Sequence, residues 1–111
     1  MGSTDAGIRA AAAITSDGMV IAAVLQEGVD ADRFAAMSAS LLALAEREVA
    51  ETRRGLLKQL LVEGTEGAVL LVRAGDDSVL AISTDPGALI GNIFIKAKAS
   101  AEQLRQLLES E

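Results

Sequence analysis

Three arginines have the clearest capacity for chemistry in this sequence, the adjacent pair Arg53 and Arg54 and the separate Arg33. A guanidinium group aimed at a phosphate can stabilise the charge that develops during phosphoryl transfer. The sequence has no G-x-x-x-x-G-K-[ST] motif, so a nucleotide would have to come with a partner. The competing interpretation, which we favour, is a solvated basic pair at a helix end, where cations interact well with the helix dipole.

The carboxylates form two short groups, Asp76 and Asp77 beside Ser78, and Glu27 with Asp30 and Asp32. Adjacent carboxylates point in different directions and make a poor cation cage, whereas turns and helix caps commonly use these residues. The sequence has no His and no Cys, which excludes imidazole and thiolate catalysis and the usual zinc sites. We therefore predict no catalytic residue, no cofactor and no metal.

The composition favours an interaction module. The chain has 111 residues, half of them apolar, which predicts one domain with a real core. Its net charge of −6 disfavours nucleic acid and anionic membrane surfaces as partners. No apolar run is long enough to span a membrane, and the start of the chain lacks the pattern of a signal peptide. We expect a cytoplasmic protein with no direct membrane insertion.

The order of the elements follows from turn and cap residues. Asp17-Gly18 between two apolar runs predicts a hairpin, and Asp30 is a good N-cap for a helix rich in Ala, Leu, Glu and Arg. The predicted strands are 8–15, 19–25, 56–63, 68–73 and 78–83, and the predicted helices are 31–53 and 88–111, although 93–95 alone could form a strand. This order, β-β-α-β-β-β-α, predicts an α+β domain over 8–109, preceded by a short or disordered segment 1–7.

The helix predicted for 31–53 has two neighbouring apolar stripes. One holds Phe34, Met37, Leu41 and Leu44, and the other holds Ala35, Ala39, Leu42, Ala45 and Val49. This arc is wider than contact with a sheet requires, so the helix either lies deep in the protein or meets another chain. The predicted strand 56–63 has apolar residues on both faces, and as an edge strand it would need pairing or protection.

The ordered set of segments resembles the roadblock/dynein light chain family. Four segments carry the resemblance: the hairpin 12–22, the helix 32–47, the strands 60–71, and the closing strand and helix, 78–82 and 89–108. The resemblance implies a profilin-like sandwich, with a five-stranded antiparallel sheet between helices on its two faces. Family members usually begin with another helix, whose shortening here would leave part of one sheet face uncovered.

The resemblance also implies a homodimer, in which the two central helices pack antiparallel and the third strands pair edge to edge. The interface residues implied in this way are Phe34, Met37, Ser38, Leu41, Leu44, Ala45, Lys58, Leu60 and Val62. Prokaryotic relatives regulate small Ras-like GTPases, some by stimulating GTP hydrolysis, without a catalytic centre of their own.

We therefore expect a regulator of such a GTPase. The candidate partner contacts lie on the central helix, at Arg33, Ser40, Arg47 and Glu48. Two alternatives remain open. One is a scaffold of a signalling or dynein-like complex, and the other is a sensor of a small ligand.

Overall fold

The computed structural model describes residues 7–88 and 90–109. The strands are β1 (Ile8–Thr15), β2 (Val20–Val24), β3 (Gln59–Gly64), β4 (Gly67–Arg73) and β5 (Ser78–Thr84), and the helices are α1 (Ala31–Glu51) and α2 (Ile90–Glu109). The order predicted from the sequence is confirmed. The prediction of a short or disordered start falls, apart from Gly7, outside the described residues.

The five strands form one antiparallel sheet in the order β2-β1-β5-β4-β3. The edges of the sheet are therefore β2 and β3. Gly18 closes the β1–β2 turn with a φ of +97°, and a Cβ there would lie 3.2 Å from the Cα of Ala36 in α1. The glycine therefore serves both the turn and the close approach of the turn to the helix.

The first sheet face packs against α1, which we call the α1 face. Asp30 caps the helix, and its carboxylate accepts a hydrogen bond of 3.1 Å from the backbone N–H of Arg33. The core on this face joins α1 to alternate residues of β1, β4 and β5, namely Ala12, Ile14, Ala35, Leu42, Leu71, Val79 and Ala81. The alternation expected of strand side chains thus sends one set of residues to each face.

The opposite face packs against α2, which we call the α2 face. The helix buries Ile93, Ala97 and Ala101, which are spaced four residues apart. They pack against Leu70, Val72, Ala74 and Ile82 of the sheet and its β4–β5 turn. Because α2 lies closest to β4 and β5, the outer strands on this face receive less cover. Val24 of β2 is 61% exposed, and Ala22 is exposed beside it.

Two boundaries predicted from the sequence, the end of the first helix and the start of the third strand, are wrong. The α1 helix ends at Glu51 with Thr52 as its C-cap, and Arg53 adopts a φ of 60° that a helix cannot continue. The third strand begins at Gln59, the first residue that pairs with β4, and not at 56; Leu56 before it is 91% exposed. Residues 93–95 are helical, so the alternative of a strand there is wrong. Among residues 7–88 and 90–109, no helix is long and apolar enough to cross a membrane.

Candidate functional site: an apolar groove beside the edge strand

The outward side of α1 carries large apolar residues. At 100° per residue, Met37 and Leu44 lie on the side of the helix opposite to the buried Ala35 and Leu42. Met37 is 64% exposed and Leu44 is 63% exposed, so neither contributes to the core. The two stripes seen in the sequence thus separate, with the alanine-rich stripe on the sheet and part of the bulkier stripe directed outward.

A groove of about 540 Å³ runs between α1 and the β3 edge of the sheet. Phe34 and Leu41 form its helical wall, while Val62, Val69 and Leu71 form its floor. The cross-strand pairs Val62–Val69 and Leu60–Leu71 place these residues on the α1 face. The remaining lining residues are Ala36, Met37, Ser38, Ser40 and Leu44. Two serines are the only polar members of this lining, so the groove is suited to apolar packing.

The residues predicted to form a dimer interface lie largely around this groove. Six of them line it: Phe34, Met37, Ser38, Leu41, Leu44 and Val62. Ser38 is nevertheless buried, and Ala45 and Leu60 are only partly exposed. Lys58 is exposed and lies in the segment before β3, which starts at the next residue. Its predicted place within the third strand is therefore wrong.

The β4 residues of the groove floor could not be found from sequence periodicity. Val69 and Leu71 belong to a strand that is buried along most of its length, and only the strand order places them beside α1. The alternation of side chains along the strand predicts that Val69 and Leu71 share one face of the sheet, but it does not predict which helix packs on that face.

The predicted partner contacts are all exposed on α1. Arg33, Ser40 and Arg47 are seven residues apart and follow one line along the helix beside Met37 and Leu44. Arg47 lies 3.8 Å from Glu51, one turn further along α1. Since both side chains of this pair are about three-quarters exposed, the ion pair restrains Arg47 only weakly.

One ion pair fixes α1 to the end of the sheet. Arg73, the last residue of β4, donates through Nε to Glu46 of α1 at 2.7 Å, and its Nη2 contacts the same carboxylate oxygen. Its Nη1 donates to the backbone oxygen of Asp76 at 3.1 Å and to Ser16 Oγ at 3.3 Å. A single planar guanidinium therefore joins α1 to the β1–β2 and β4–β5 turns. The Glu46 side chain is accordingly only partly exposed.

The residues considered for chemistry do not converge. Arg53 and Arg54 follow α1 and are exposed, whereas Arg33 lies at the opposite end of that helix. In the part of the chain that the structure describes, no group of three or more His, Cys, Asp or Glu side chains could hold a metal ion. Asp76 and Asp77 lie in the β4–β5 turn, where their backbone oxygens accept hydrogen bonds from Arg73 and Ser16.

The fold and the sequence have clear relatives. An uncharacterized protein of Methanocaldococcus jannaschii is 37% identical over 101 residues, which cover 91% of this chain and 88% of that protein. The structure of MglB from Myxococcus xanthus matches with a TM-score of 0.89 at 18% identity, covering 98% of this chain and 89% of that one. A structure described as MglB with a tetrameric arrangement matches with a TM-score of 0.83 at 21% identity, covering 93% and 79%.

The family follows from a direct match to the sequence. The model of the Roadblock/LC7 domain matches residues 3–84, which include all five strands and α1. The described geometry agrees with this match in its element order and its antiparallel sheet. This chain belongs to the Roadblock/LC7 domain family.

Proposed function

We propose that this protein is a homodimer that binds a small Ras-like GTPase and modulates its GTP hydrolysis. The observation that carries the proposal is the apolar groove beside the unpaired β3 edge. Membership of the family supports a regulatory function, and the groove offers an apolar surface that can bind another chain. The alternative interpretation of a small-ligand sensor receives less support, because the groove lining offers only two serines to orient a ligand.

The dimer is supported by exposed apolar side chains next to an open strand edge. Met37 and Leu44 project from α1, and Val62 is 41% exposed on β3. An unprotected edge strand is a template for pairing, and pairing β3 with its copy would align the two grooves. The two α1 helices would then pack across the dyad. In this arrangement both chains remove their exposed apolar stripes from water.

The mode of action is conformational. The sequence has no G-x-x-x-x-G-K-[ST] motif, so the GTPase would bring the GTP and the catalytic residues. A rigid dimer surface built from the paired α1 helices would bind one arrangement of the mobile loops of the GTPase more tightly than the other. Such differential affinity shifts the population toward the bound arrangement and changes the hydrolysis rate. Such a role places the protein in the cytoplasm, where we expect its GTPase partner.

The dimer is tested by replacing Leu44 with Asp. A carboxylate at this outward position would be buried without a partner in the interface, so we expect a monomer in light scattering. The matched control is Ile95→Asp on α2, because Ile95 is 70% exposed but lies outside the groove. A dimer that survives Leu44→Asp, or one lost equally in both variants, contradicts the proposed interface.

The regulation is tested by single-turnover GTP hydrolysis. The reaction uses a Ras-like GTPase of the same organism, with and without the protein, and compares the wild type with Arg47→Ala and Ile95→Asp. We expect the rate to change and to saturate near two protomers per GTPase, with a weaker effect for Arg47→Ala alone. Binding without a change in rate would favour a scaffold. Failure to bind either the GTP or the GDP form would overturn the proposal for that GTPase.

A further inference from the structure

The sheet has a second open edge at β2, on the side opposite to the groove. The strand order β2-β1-β5-β4-β3 leaves one side of β2 without a strand partner in the described part of the chain. Pairing of β3 with a second copy, as proposed above, would use the other edge and leave a β2 edge at each end of the combined sheet. The backbone N–H and C=O groups on the outer side of β2 therefore stay available to an extended segment of another chain.

The side chains at this edge are apolar and exposed. Val24 is 61% exposed, Ile21 is 42% exposed, and Ala22 between them is exposed as well. The sequence from 18 to 25 contains no Lys, Arg, Asp, Glu or Pro, the residue types that usually protect an edge strand from pairing. The side chains of this edge therefore offer little resistance to the addition of a strand.

A bulge interrupts β2 near its start. Ala13 of β1 pairs with Ala22, whereas the next residue, Ile14, pairs with Val20, so Ile21 is an extra residue on β2. Regular pairing along the outer side is therefore confined to the part of the strand after the bulge. An added strand is accordingly short.

On the α2 face, the small side chains of β1 and β2 leave a shallow depression. Ala13 pairs with Ala22 on one side and with Leu80 of β5 on the other. The depression has a volume of about 200 Å³, and its remaining lining residues are Ala11, Ala12, Ala23 and Val24. The α2 helix lies over β4 and β5 and leaves this area open. A large side chain of an added strand could reach over Ala22 into this space, since neighbouring strands bring such side chains into contact.

Both ends of β2 carry negative charge that the chain itself does not neutralise. Asp17 precedes the strand and Glu27 follows it, and neither forms an ion pair among the described residues. Arg73, near the start of β2, and Arg9, near its end, are each engaged by a carboxylate of another element. Arg33 lies on the outward side of α1, and the two lysines of α2 belong to a helix over β4 and β5. The charge left for a partner at each end is therefore negative.

A second copy of this chain fits the edge poorly. Antiparallel pairing of two β2 strands about Ala22 would bring Asp17 of each copy near Glu27 of the other. Like charges that face each other across neighbouring strands are destabilising. A strand with an apolar centre and a basic residue at each end would instead meet a carboxylate at both ends, in either direction.

We propose that β2 is a strand-addition site for an extended segment of another protein, apolar in its centre and basic at both ends. The added strand hydrogen-bonds to the outer backbone groups of β2 and places a large side chain over the alanines of the α2 face. This site lies outside the groove and does not depend on the proposed dimer, so it adds a second binding surface to the one proposed for the GTPase.

The test uses the full chain and a short end-capped peptide of alternating valine and threonine with a lysine at each end. We expect the peptide to slow hydrogen exchange at the backbone amides of β2 and to leave those of β3 unchanged. A matched peptide with a glutamate at each end should bind about tenfold more weakly, and this difference should shrink in high salt.

Matched variants locate the site. Val24→Lys places a positive charge in the edge and should abolish binding of the lysine-flanked peptide, whereas Val29→Lys should not, because Val29 is 45% exposed but lies between β2 and α1. Leu44→Asp should bind the peptide as the wild type does, even if it breaks the dimer. Absence of protection at β2, equal binding of the two peptides, or equal loss in both valine variants would overturn the inference. Protection of β2 that rises with protein concentration without peptide would assign the edge to a second copy and overturn it as well.

Discussion

The two helices pack against the same sheet in different ways. The α2 helix is seated by Ile93, Ala97 and Ala101, and the two large apolar side chains known to be exposed on it, Ile95 and Leu107, are twelve residues apart. The α1 helix is seated by Ala35 and Leu42, and it leaves Met37 and Leu44 exposed on its other side. A helix with bulky apolar side chains on both sides buries only part of them within a single chain. The comparison therefore separates a helix that completes the fold from a helix that presents a surface.

The way each helix is fixed also differs. Apolar burial holds α2 over the centre of the sheet, where Leu70 and Ile82 meet it. On the α1 face, the polar contact of Arg73 with Glu46 adds to a close approach at Gly18. Polar contacts constrain orientation more narrowly than apolar packing does, because their geometry is directional. The contact therefore fixes the orientation of α1, the helix whose outer side we propose to bind a partner.

The largest expected effect is a truncation in the α2 core. Ile93 is completely buried, so Ile93→Ala removes its burial and leaves a cavity, and we expect a loss of about 2–5 kcal/mol in the free energy of unfolding. The measurement is chemical denaturation followed by circular dichroism at several protein concentrations. The loss should be the same at each concentration, since this residue acts within one chain.

The matched truncation on α1 is Leu44→Ala. In dilute protein its effect on the free energy of unfolding should stay within about 0.5 kcal/mol, because the side chain is already exposed. At higher concentrations the wild type gains stability from association and the variant gains less, so the difference should grow. A large loss that is independent of concentration would mean that Leu44 belongs to the core of one chain, and the contrast between the helices would collapse.

An intermediate effect is expected from removing the guanidinium that joins α1 to the sheet. Arg73→Gln deletes the ion pair to the half-buried Glu46, and we expect a loss of about 1–2 kcal/mol in the free energy of unfolding. A double-mutant cycle with Glu46→Gln measures the coupling directly. Dimerisation should weaken as well, since α1 loses a directional constraint. A coupling near zero would show that the polar contact adds nothing to the packing that holds α1 on the sheet.

Much of this contrast could be predicted from local sequence pattern. Periodicity in α1 revealed two apolar stripes, and the strand alternation with its turns gave the order of the elements. The first and last residues of each element were harder to predict. Leu56 continues the apolar run before β3, yet it lies outside the strand and is almost fully exposed, because only residues that pair with β4 belong to the strand.

Contacts between residues that are far apart in the chain could not be predicted from the sequence. Arg73 and Glu46 are 27 residues apart, and no spacing rule connects a strand end to the middle of a helix. The groove floor at Val69 depends in the same way on the strand order β5-β4-β3, which sets the residues that α1 faces. Pattern thus identifies which residues of one element share a side, while topology decides what that side meets.

The smallest effect concerns an ion pair on the exposed side of α2. Arg105 donates to Glu102 through Nε at 3.1 Å, and this hydrogen bond is the main reason that the pKa of Glu102 lies below its ordinary value. The positive charge of Arg105 and a hydrogen bond of 3.3 Å from Gln106 act in the same direction. Because the pKa is lower in the folded state, the stabilisation is present above the unfolded-state pKa and disappears as the pH falls through the folded-state pKa.

Glu102→Gln tests this pair against the one that fixes α1. At neutral pH we expect only a slight decrease in unfolding temperature, since the groups are exposed to solvent and salt. The small difference from the wild type should vanish in acid, where Glu102 is protonated in both states. The Arg73→Gln variant should retain a deficit there, because it also loses the hydrogen bonds to Asp76 and Ser16, which do not depend on a carboxylate. If acid removes the deficit of both variants equally, Arg73 acts through its charge alone. The proposed difference between the helices, that Arg73 also fixes the orientation of α1, would then be wrong.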